Sequence, residues 1–239
     1  MPAEGIKLLS HADILSYEEI IEVIRTAVFL GIDKVRITGG EPLVRKGIVP
    51  FISRVAGIPG IRDLGLTSNG ILLEEFAQPL AEAGLHRINI SLDTMDPERF
   101  REITRGGELA RVLKGIEAAR KAGLEPIKIN CVIRNSADEP DALAVREFCS
   151  ANGLEVRFIH EMNLGEGCFT IVENGHGGDC LNCNRIRLTA NGRIKPCLFS
   201  DLEFDIRSLG IGPALEAAIG SKPERGTVNT SDFFHNIGG

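Results

Sequence analysis

The sequence predicts an α/β fold: a parallel sheet, curved into a barrel or part of one, followed by a short cysteine-bearing domain. Three observations carry this. Short apolar runs alternate with helical patterns at roughly regular spacing. Glycines stand where helices should stop, at Gly84, Gly123 and Gly153. After about residue 165 the alternation ends, and a Gly-rich stretch over 165–178 leads into closely spaced cysteines.

The first helix is predicted from Ser16 or Tyr17 to Leu30, with Gly31 as its stop. Strands are predicted at 34–38, 63–67, 87–92, 127–133 and 155–160. Helical segments near 45–57, 72–83, 97–121 and 139–151 separate them. Buried parallel strands usually read as unbroken Val, Ile and Leu. These alternate instead. Lys34, Arg36 and Thr38 share one face, Val35 and Ile37 the other; Arg87, Asn89, Ser91 and Asp93 oppose Ile88, Ile90 and Leu92. Lys128 and Asn130 oppose Ile127 and Ile129, and Arg157 opposes Val156 and Phe158. The apolar face suits packing against helices. A closed eight-stranded barrel fills its interior with apolar layers, so a polar inner face implies a more open barrel around a large polar ligand. The rival, an antiparallel sheet with one wet face, sits badly with the intervening helices.

A chain of 239 residues suits one large domain, or one domain with an appendage. Hydrophobic residues at 43% supply a core, and charged residues at 25% speak against disorder. No run reaches the roughly 18 uninterrupted apolar residues of a membrane span. The first residues lack a signal pattern, so a cytoplasmic location is expected. The net charge of −6 argues against non-specific nucleic-acid binding. An anionic ligand therefore needs locally clustered cations. Lys34, Arg36, Lys128 and Arg157 form such a group on the polar face, suited to a polyphosphate. Pairing with Asp93, Glu41 or Glu161 is the alternative.

The six cysteines are Cys131, Cys149, Cys168, Cys180, Cys183 and Cys197. Cys131 and Cys149 fall in strand and helix patterns and read as core. Cys180-Leu181-Asn182-Cys183 is followed after thirteen residues by Cys197. Two thiolates on one turn can converge with a third from a hairpin over Leu188–Pro196, turning at Asn191-Gly192. Three thiolates suit a 4Fe–4S cluster with one iron left open. Structural zinc, with Cys168 or His176 as fourth ligand, is the rival, and spacing does not separate the two. Between the cysteines, Arg185 and Arg187 are two apart and would face the same way on a strand, suiting phosphate or purine recognition; a surface pair is the plain alternative. Thr38-Gly39-Gly40-Glu41-Pro42, Ser68-Asn69-Gly70 and Ser91-Leu92-Asp93 each end a predicted strand, at the mouth where parallel α/β proteins bind ligands.

At these residues the chain resembles the GTP 3′,8-cyclase family, radical S-adenosylmethionine (SAM) enzymes of molybdenum cofactor biosynthesis. The resemblance rests on ITGGEPLVRKGI (37–48), GLTSNGILL (65–73), RINISLDTMDPERF (87–100), EVRFIHEMNLG (155–165), CNRIRLTANGRIKPCLFSD (183–201) and the closing Ile237-Gly238-Gly239. It implies an incomplete (βα)6 barrel lacking its first strand over residues 1–165, and a C-terminal cluster- and substrate-binding segment with a Gly-Gly tail over 166–239. It implies SAM at Gly40, Ser91 and Met162, and GTP at Lys34, Arg36, Thr67, Lys128 and Arg157. Cys180, Cys183 and Cys197 match the ligands of a second 4Fe–4S cluster, whose open iron binds guanine. Arg185 and Arg187 match an arginine pair that contacts substrate, and Gly238 and Gly239 match a tail that assists radical formation. In the family, a 5′-deoxyadenosyl radical from SAM takes the ribose 3′ hydrogen of GTP. Attack on the guanine ring then gives (8S)-3′,8-cyclo-7,8-dihydroguanosine 5′-triphosphate, which passes to cyclic pyranopterin monophosphate synthase.

The sequence departs from the family pattern twice. The Cys-x3-Cys-x2-Cys loop of the first cluster does not occur in it, and only 14 residues separate Gly165 from Cys180. The expectation is that the first strand and its cluster loop are cut off, leaving residues 34–38 as a sheet edge, and that this chain alone does not make the deoxyadenosyl radical. A catalytically dead nucleotide- and cluster-binding relative is the second reading, and a zinc domain on a barrel remnant the third. A homodimer is left open.

Overall fold

The computed structural model describes residue 10 and residues 12–231. Its first helix, α1 (Tyr17–Phe29), starts on a capping box: the Ser16 side chain accepts from the Glu19 backbone, and Glu19 reaches back to the Ser16 N–H. The parallel strands follow as β1 (Lys34–Ile37), β2 (Asp63–Ser68), β3 (Arg87–Ser91), β4 (Ile127–Ile133) and β5 (Glu155–His160). The helices between them are α2 (Ile48–Ala56), α3 (Leu73–Glu82), α4 (Pro97–Thr104), α5 (Leu109–Lys121) and α6 (Pro140–Ala151). The C-terminal part holds β6 (Arg187–Leu188), β7 (Arg193–Lys195), β8 (Phe204–Asp205), α7 (Ile206–Leu209) and α8 (Ile211–Gly220).

Every pairing in the five-stranded sheet is parallel, in the order β1-β2-β3-β4-β5, so the antiparallel rival is excluded. The strands fall where alternation put them, and Gly84, Gly123 and Gly153 have φ of +92°, +75° and +65°, the left-handed turn that stops a helix. One predicted element was wrong in its continuity. The 97–121 segment is two helices, broken where Arg105 adopts φ +58° and Gly106 φ +109°.

The described chain divides into two compact units. One comprises 33–161 and 169–179. Its core is the apolar side of the sheet, with Leu64, Leu66, Ile88, Ile90, Ile127 and Ile129 all buried, together with the buried stripes of α2, α3, α5 and α6. The other comprises residues up to 32, then 162–168 and 180 onwards. Its core gathers Leu15, Val23 and Ala27 from around α1 with Ile194, Ile206, Ala214, Leu215 and Ala218. There the antiparallel sheet β6-β7-β8 turns at Gly192, whose φ of +86° suits the Asn-Gly hairpin turn read from the sequence. Cys131 and Cys149 are buried as expected, and burial pushes their thiols up to about 12 and about 11. No helix among the described residues is long and apolar enough to cross a membrane.

Candidate functional site

The polar side of the parallel sheet is laid out in rows by the register. Arg36 stands opposite Gly65, and Gly65 opposite Arg87. Thr67, Asn89 and Lys128 form the next row. Ser91, Asn130 and Arg157 form a third. Five of these positions, with Lys34, were singled out from the sequence as ligand-binding candidates, and the sheet brings Arg36, Thr67, Ser91, Lys128 and Arg157 onto one face. Lys34 and Arg36 are exposed on β1; Thr67, Lys128 and Arg157 are half-buried.

The acidic partner of Lys128 differs from those expected. Lys128 pairs with Glu155, the residue opposite it on β5. Arg87 grips Asp63 with both prongs, Nε to Oδ1 and Nη2 to Oδ2, each at 2.8 Å. A hydrogen bond from Arg87, then its charge, holds the Asp63 carboxyl below its usual value against the opposing effect of burial. Glu161 pairs with Arg134 at 3.7 Å, and Glu41 takes its bonds from β2 and its own turn. Of the buried polar atoms on this face, Arg87 Nη1, Asn89 Oδ1 and Asn130 Oδ1 lack a hydrogen-bond partner. A wet or ligand-lined face accounts for them better than a dry one.

At the C-terminal mouth of the sheet, a cavity of about 210 Å³ is lined by Asn69, Ile71, Ser91, Asp93, Thr94, Phe100, Ile103 and Thr104. Burial raises the Asp93 pKa; the Val132 N–H, bound at 2.8 Å, opposes this, and the Asp141 charge adds to it. The space beside Gly39 and Gly40 is open: a Cβ at either would meet nothing within 4 Å. Gly39, at φ +152°, holds a backbone shape that side chains disfavour.

The cysteine centre lies in the other unit. Cys180 and Cys183 close one turn, the Cys183 N–H donating to the Cys180 carbonyl at 3.2 Å. Cys180, Cys183 and Cys197 are free and half-buried. Burial pushes the Cys183 thiol up, but the Arg185 backbone N–H and the charges of Lys222 and Arg185 outweigh it and hold it below its ordinary value. Half-buried Arg187 lies within electrostatic reach of both Cys183 and Cys197; its own burial and Arg185 lower its pKa, and the two cysteines oppose that. The register puts Arg187 in β6, opposite Lys195, while Arg185 precedes the strand. Among the described residues, no three Cys, His, Asp or Glu side chains gather as a site for a metal ion. The donor chemistry nonetheless fits an iron–sulfur cluster: free thiols, two of them in the field of shared cations.

Met162 is half-buried in the same unit as the cysteines, and Cys168, one of the zinc reading's two candidates for fourth ligand, is exposed there; the other, His176, is also exposed. Gly238 and Gly239 lie outside the described residues. Lys222, a single lysine after a helix, carried no signal readable from sequence alone. Arg87 was visible on the polar face, but its partner Asp63 was not.

The model of the radical SAM superfamily matches residues 5–149. GTP 3′,8-cyclases from Thermodesulfovibrio yellowstonii, Alkaliphilus oremlandii and Geobacter sulfurreducens are each 40% identical to this chain. The alignments span 87%, 94% and 94% of it, and 79%, 85% and 85% of those proteins. The chain belongs to the GTP 3′,8-cyclase family of the radical SAM superfamily. Solved structures agree on the fold. Native anSMEcpe with bound AdoMet superposes with a TM-score of 0.64 over 92% of this chain and 75% of that one, at 14% identity. Streptococcus suis SuiB bound to S-adenosylmethionine gives 0.53 over 62% and 34%, at 20% identity.

Proposed function

We propose that this chain is a GTP 3′,8-cyclase that binds SAM and GTP for the family's conversion of GTP to (8S)-3′,8-cyclo-7,8-dihydroguanosine 5′-triphosphate, and that the sequence as given, which holds no Cys-x3-Cys-x2-Cys loop, does not make the deoxyadenosyl radical by itself. The observation that carries the reading is the cationic surround of the cysteine centre, Arg185, Arg187 and Lys222 about Cys183 and Cys197, in a chain whose net charge is negative. Cations kept together against such a balance call for an anion. The reading divides the labour between a partial (βα)6 barrel built on the parallel sheet of 33–161 and a substrate-binding segment that carries the cysteines.

Each residue has a role in it. Gly40 and Ser91, at strand ends, and Met162 hold SAM. Lys34, Arg36, Thr67, Lys128 and Arg157 hold the triphosphate, and Arg185 and Arg187 orient the nucleotide. Gly238 and Gly239 assist radical formation. Cys180, Cys183 and Cys197 hold a 4Fe–4S cluster, which when bound offers an open iron to the guanine. The Asn89 amide is neutral and Glu155 is paired with Lys128, so this row of the sheet face is polar without an unpaired carboxylate of its own. The product goes to a cyclic pyranopterin monophosphate synthase, and the setting is cytoplasmic.

The binding half of this reading is tested without any radical step. GTP is titrated calorimetrically into chain reconstituted anaerobically with iron and sulfide. Arg185→Ala and Arg187→Ala should each weaken the affinity about tenfold or more, the worth of one charge-assisted contact. No uptake of GTP by iron-loaded protein sinks the proposal. Release of 5′-deoxyadenosine from SAM by this chain, at a rate near that of full-length relatives, would overturn the expectation that it makes no radical alone.

A further inference from the structure

We infer that Lys222 is a positioning residue for the cysteine centre: its ammonium ties the segment after Cys183 to the segment before Cys197 and fixes one positive charge beside the cluster. This rests on the assignment of those cysteines as cluster ligands.

Lys222 follows Ser221, the C-cap of α8, and its backbone N–H donates to the Ile219 carbonyl at 3.3 Å, which fixes where the side chain starts. Its Nζ donates to the Arg185 carbonyl at 2.7 Å and to the Pro196 carbonyl at 2.8 Å. Arg185 is two residues past Cys183, and Pro196 immediately precedes Cys197. The hairpin alone does not hold this end together. Its ladder pairs Leu188 with Ile194 and Arg187 with Lys195, and stops there, short of both cysteines. Beyond the last rung, Lys222 makes the cross-link that a further rung would have made.

An ammonium carries three N–H donors and no acceptor. Two are taken by the carbonyls, and the ammonium charge helps hold the Cys183 thiol below its ordinary value. The charge therefore has a fixed place rather than a mobile one. Cluster potentials respond to net charge and to hydrogen bonds on the sulfurs. A cation held beside the ligand cysteines favours the reduced, more negative cluster and so raises the potential.

The test is a redox titration followed by electron paramagnetic resonance, on the full chain reconstituted anaerobically with iron and sulfide. K222M, K222Q and K222R are compared with wild type, with iron and sulfide counted for each. K222M, which removes charge and donors, and K222Q, which keeps donors but not charge, should titrate at a more negative potential. K222R should stay near wild type. If K222M does not load, K222Q against K222R decides by the same criterion. A loaded wild type whose potential is shared by K222Q overturns the role of Lys222 alone. A wild type that takes up no iron or sulfide overturns the cysteine assignment, and this inference with it.

Discussion

Glu41 fastens the end of β1 to the end of β2 through Ser68: its Oε1 accepts from the Ser68 hydroxyl at 2.9 Å, and its Oε2 accepts from the Asn69 N–H at 2.7 Å. The same carboxylate caps its own turn through the Leu43 N–H at 3.1 Å, and Ser68 passes the link on by accepting from the Gly70 N–H at 3.0 Å. One side chain thus holds the Gly-Gly turn against the strand whose end lines the cavity. Charge-assisted bonds of this kind are the strong ones. Glu41→Gln turns one of the two acceptors into a donor facing a donor. It should cost about 1–3 kcal/mol and lower the melting temperature by about 2–10 °C. SAM affinity should fall with it. An unchanged melting curve and unchanged SAM binding would mean the link is idle.

The approach of α3 and α5 supplies a second prediction. Gly115 of α5 lies against the Gly70 carbonyl, where a Cβ would stand 2.4 Å from that oxygen and 2.9 Å from Leu73 Cβ. The first neighbour is backbone and cannot swing aside. Gly115→Ala gains up to about 1 kcal/mol of helix propensity but overpacks the contact, at a cost of about 1–3 kcal/mol or more. The balance is a loss. Urea unfolding should show a lower midpoint, and a midpoint above wild type would contradict the packing.

What the sequence disclosed and what it withheld follow from the range of the interactions. Alternation along one strand, as in Arg87-Ile88-Asn89-Ile90, is local and told both the strand and its polar face. The hairpin at Asn191-Gly192 and the core burial of Cys131 and Cys149 were equally local. The pairs Arg87–Asp63 and Lys128–Glu155 depend on register between strands more than twenty residues apart, which a single sequence does not state. Lys222 and Arg185 are farther apart still. The break between α4 and α5 did have a local sign, Gly106-Gly107, but helical periodicity on both sides masked it; Arg105 makes the turn in a left-handed shape that arginine seldom takes.

The Asp63–Arg87 pair gives a third prediction. The Arg87 side chain is 17% exposed and the Asp63 side chain 26%, so neither is well screened by water. Asp63→Ala leaves a largely buried guanidinium without its carboxylate. The cost should be about 2–3 kcal/mol, at or just under the range for breaking a buried pair because some solvent reaches it. The double variant with Arg87→Met should recover part of that loss. Equal losses in the single and double variants, measured by chemical denaturation, would show that the pair is not the source.

Asp201 offers the clearest dependence on pH. Its carboxylate gathers four donors from a stretch near the end of the described chain: the Ser231 hydroxyl at 2.7 Å, the Ser231 N–H at 3.0 Å, the Thr230 N–H at 2.8 Å and the Thr230 hydroxyl at 3.0 Å. The Ser231 side-chain and backbone bonds come first among the causes that hold its pKa down to about 2, against an ordinary 3.8. A carboxylate depressed by folding stabilises the folded form above its ordinary pKa. That contribution fades as pH falls from about 4 towards 2. Nearby, Thr227 N–H to Phe199 and Asn229 Nδ2 to Leu198 involve no titrating group, so they persist through the same window. Hydrogen exchange should therefore find the Thr230 and Ser231 amides protected at neutral pH and released at about pH 2–3, with Thr227 still protected. Asp201→Asn should release Thr230 and Ser231 at every pH while leaving Thr227 as it was. Protection at Ser231 that survives both the acid and the substitution would mean that the four bonds do not hold this segment.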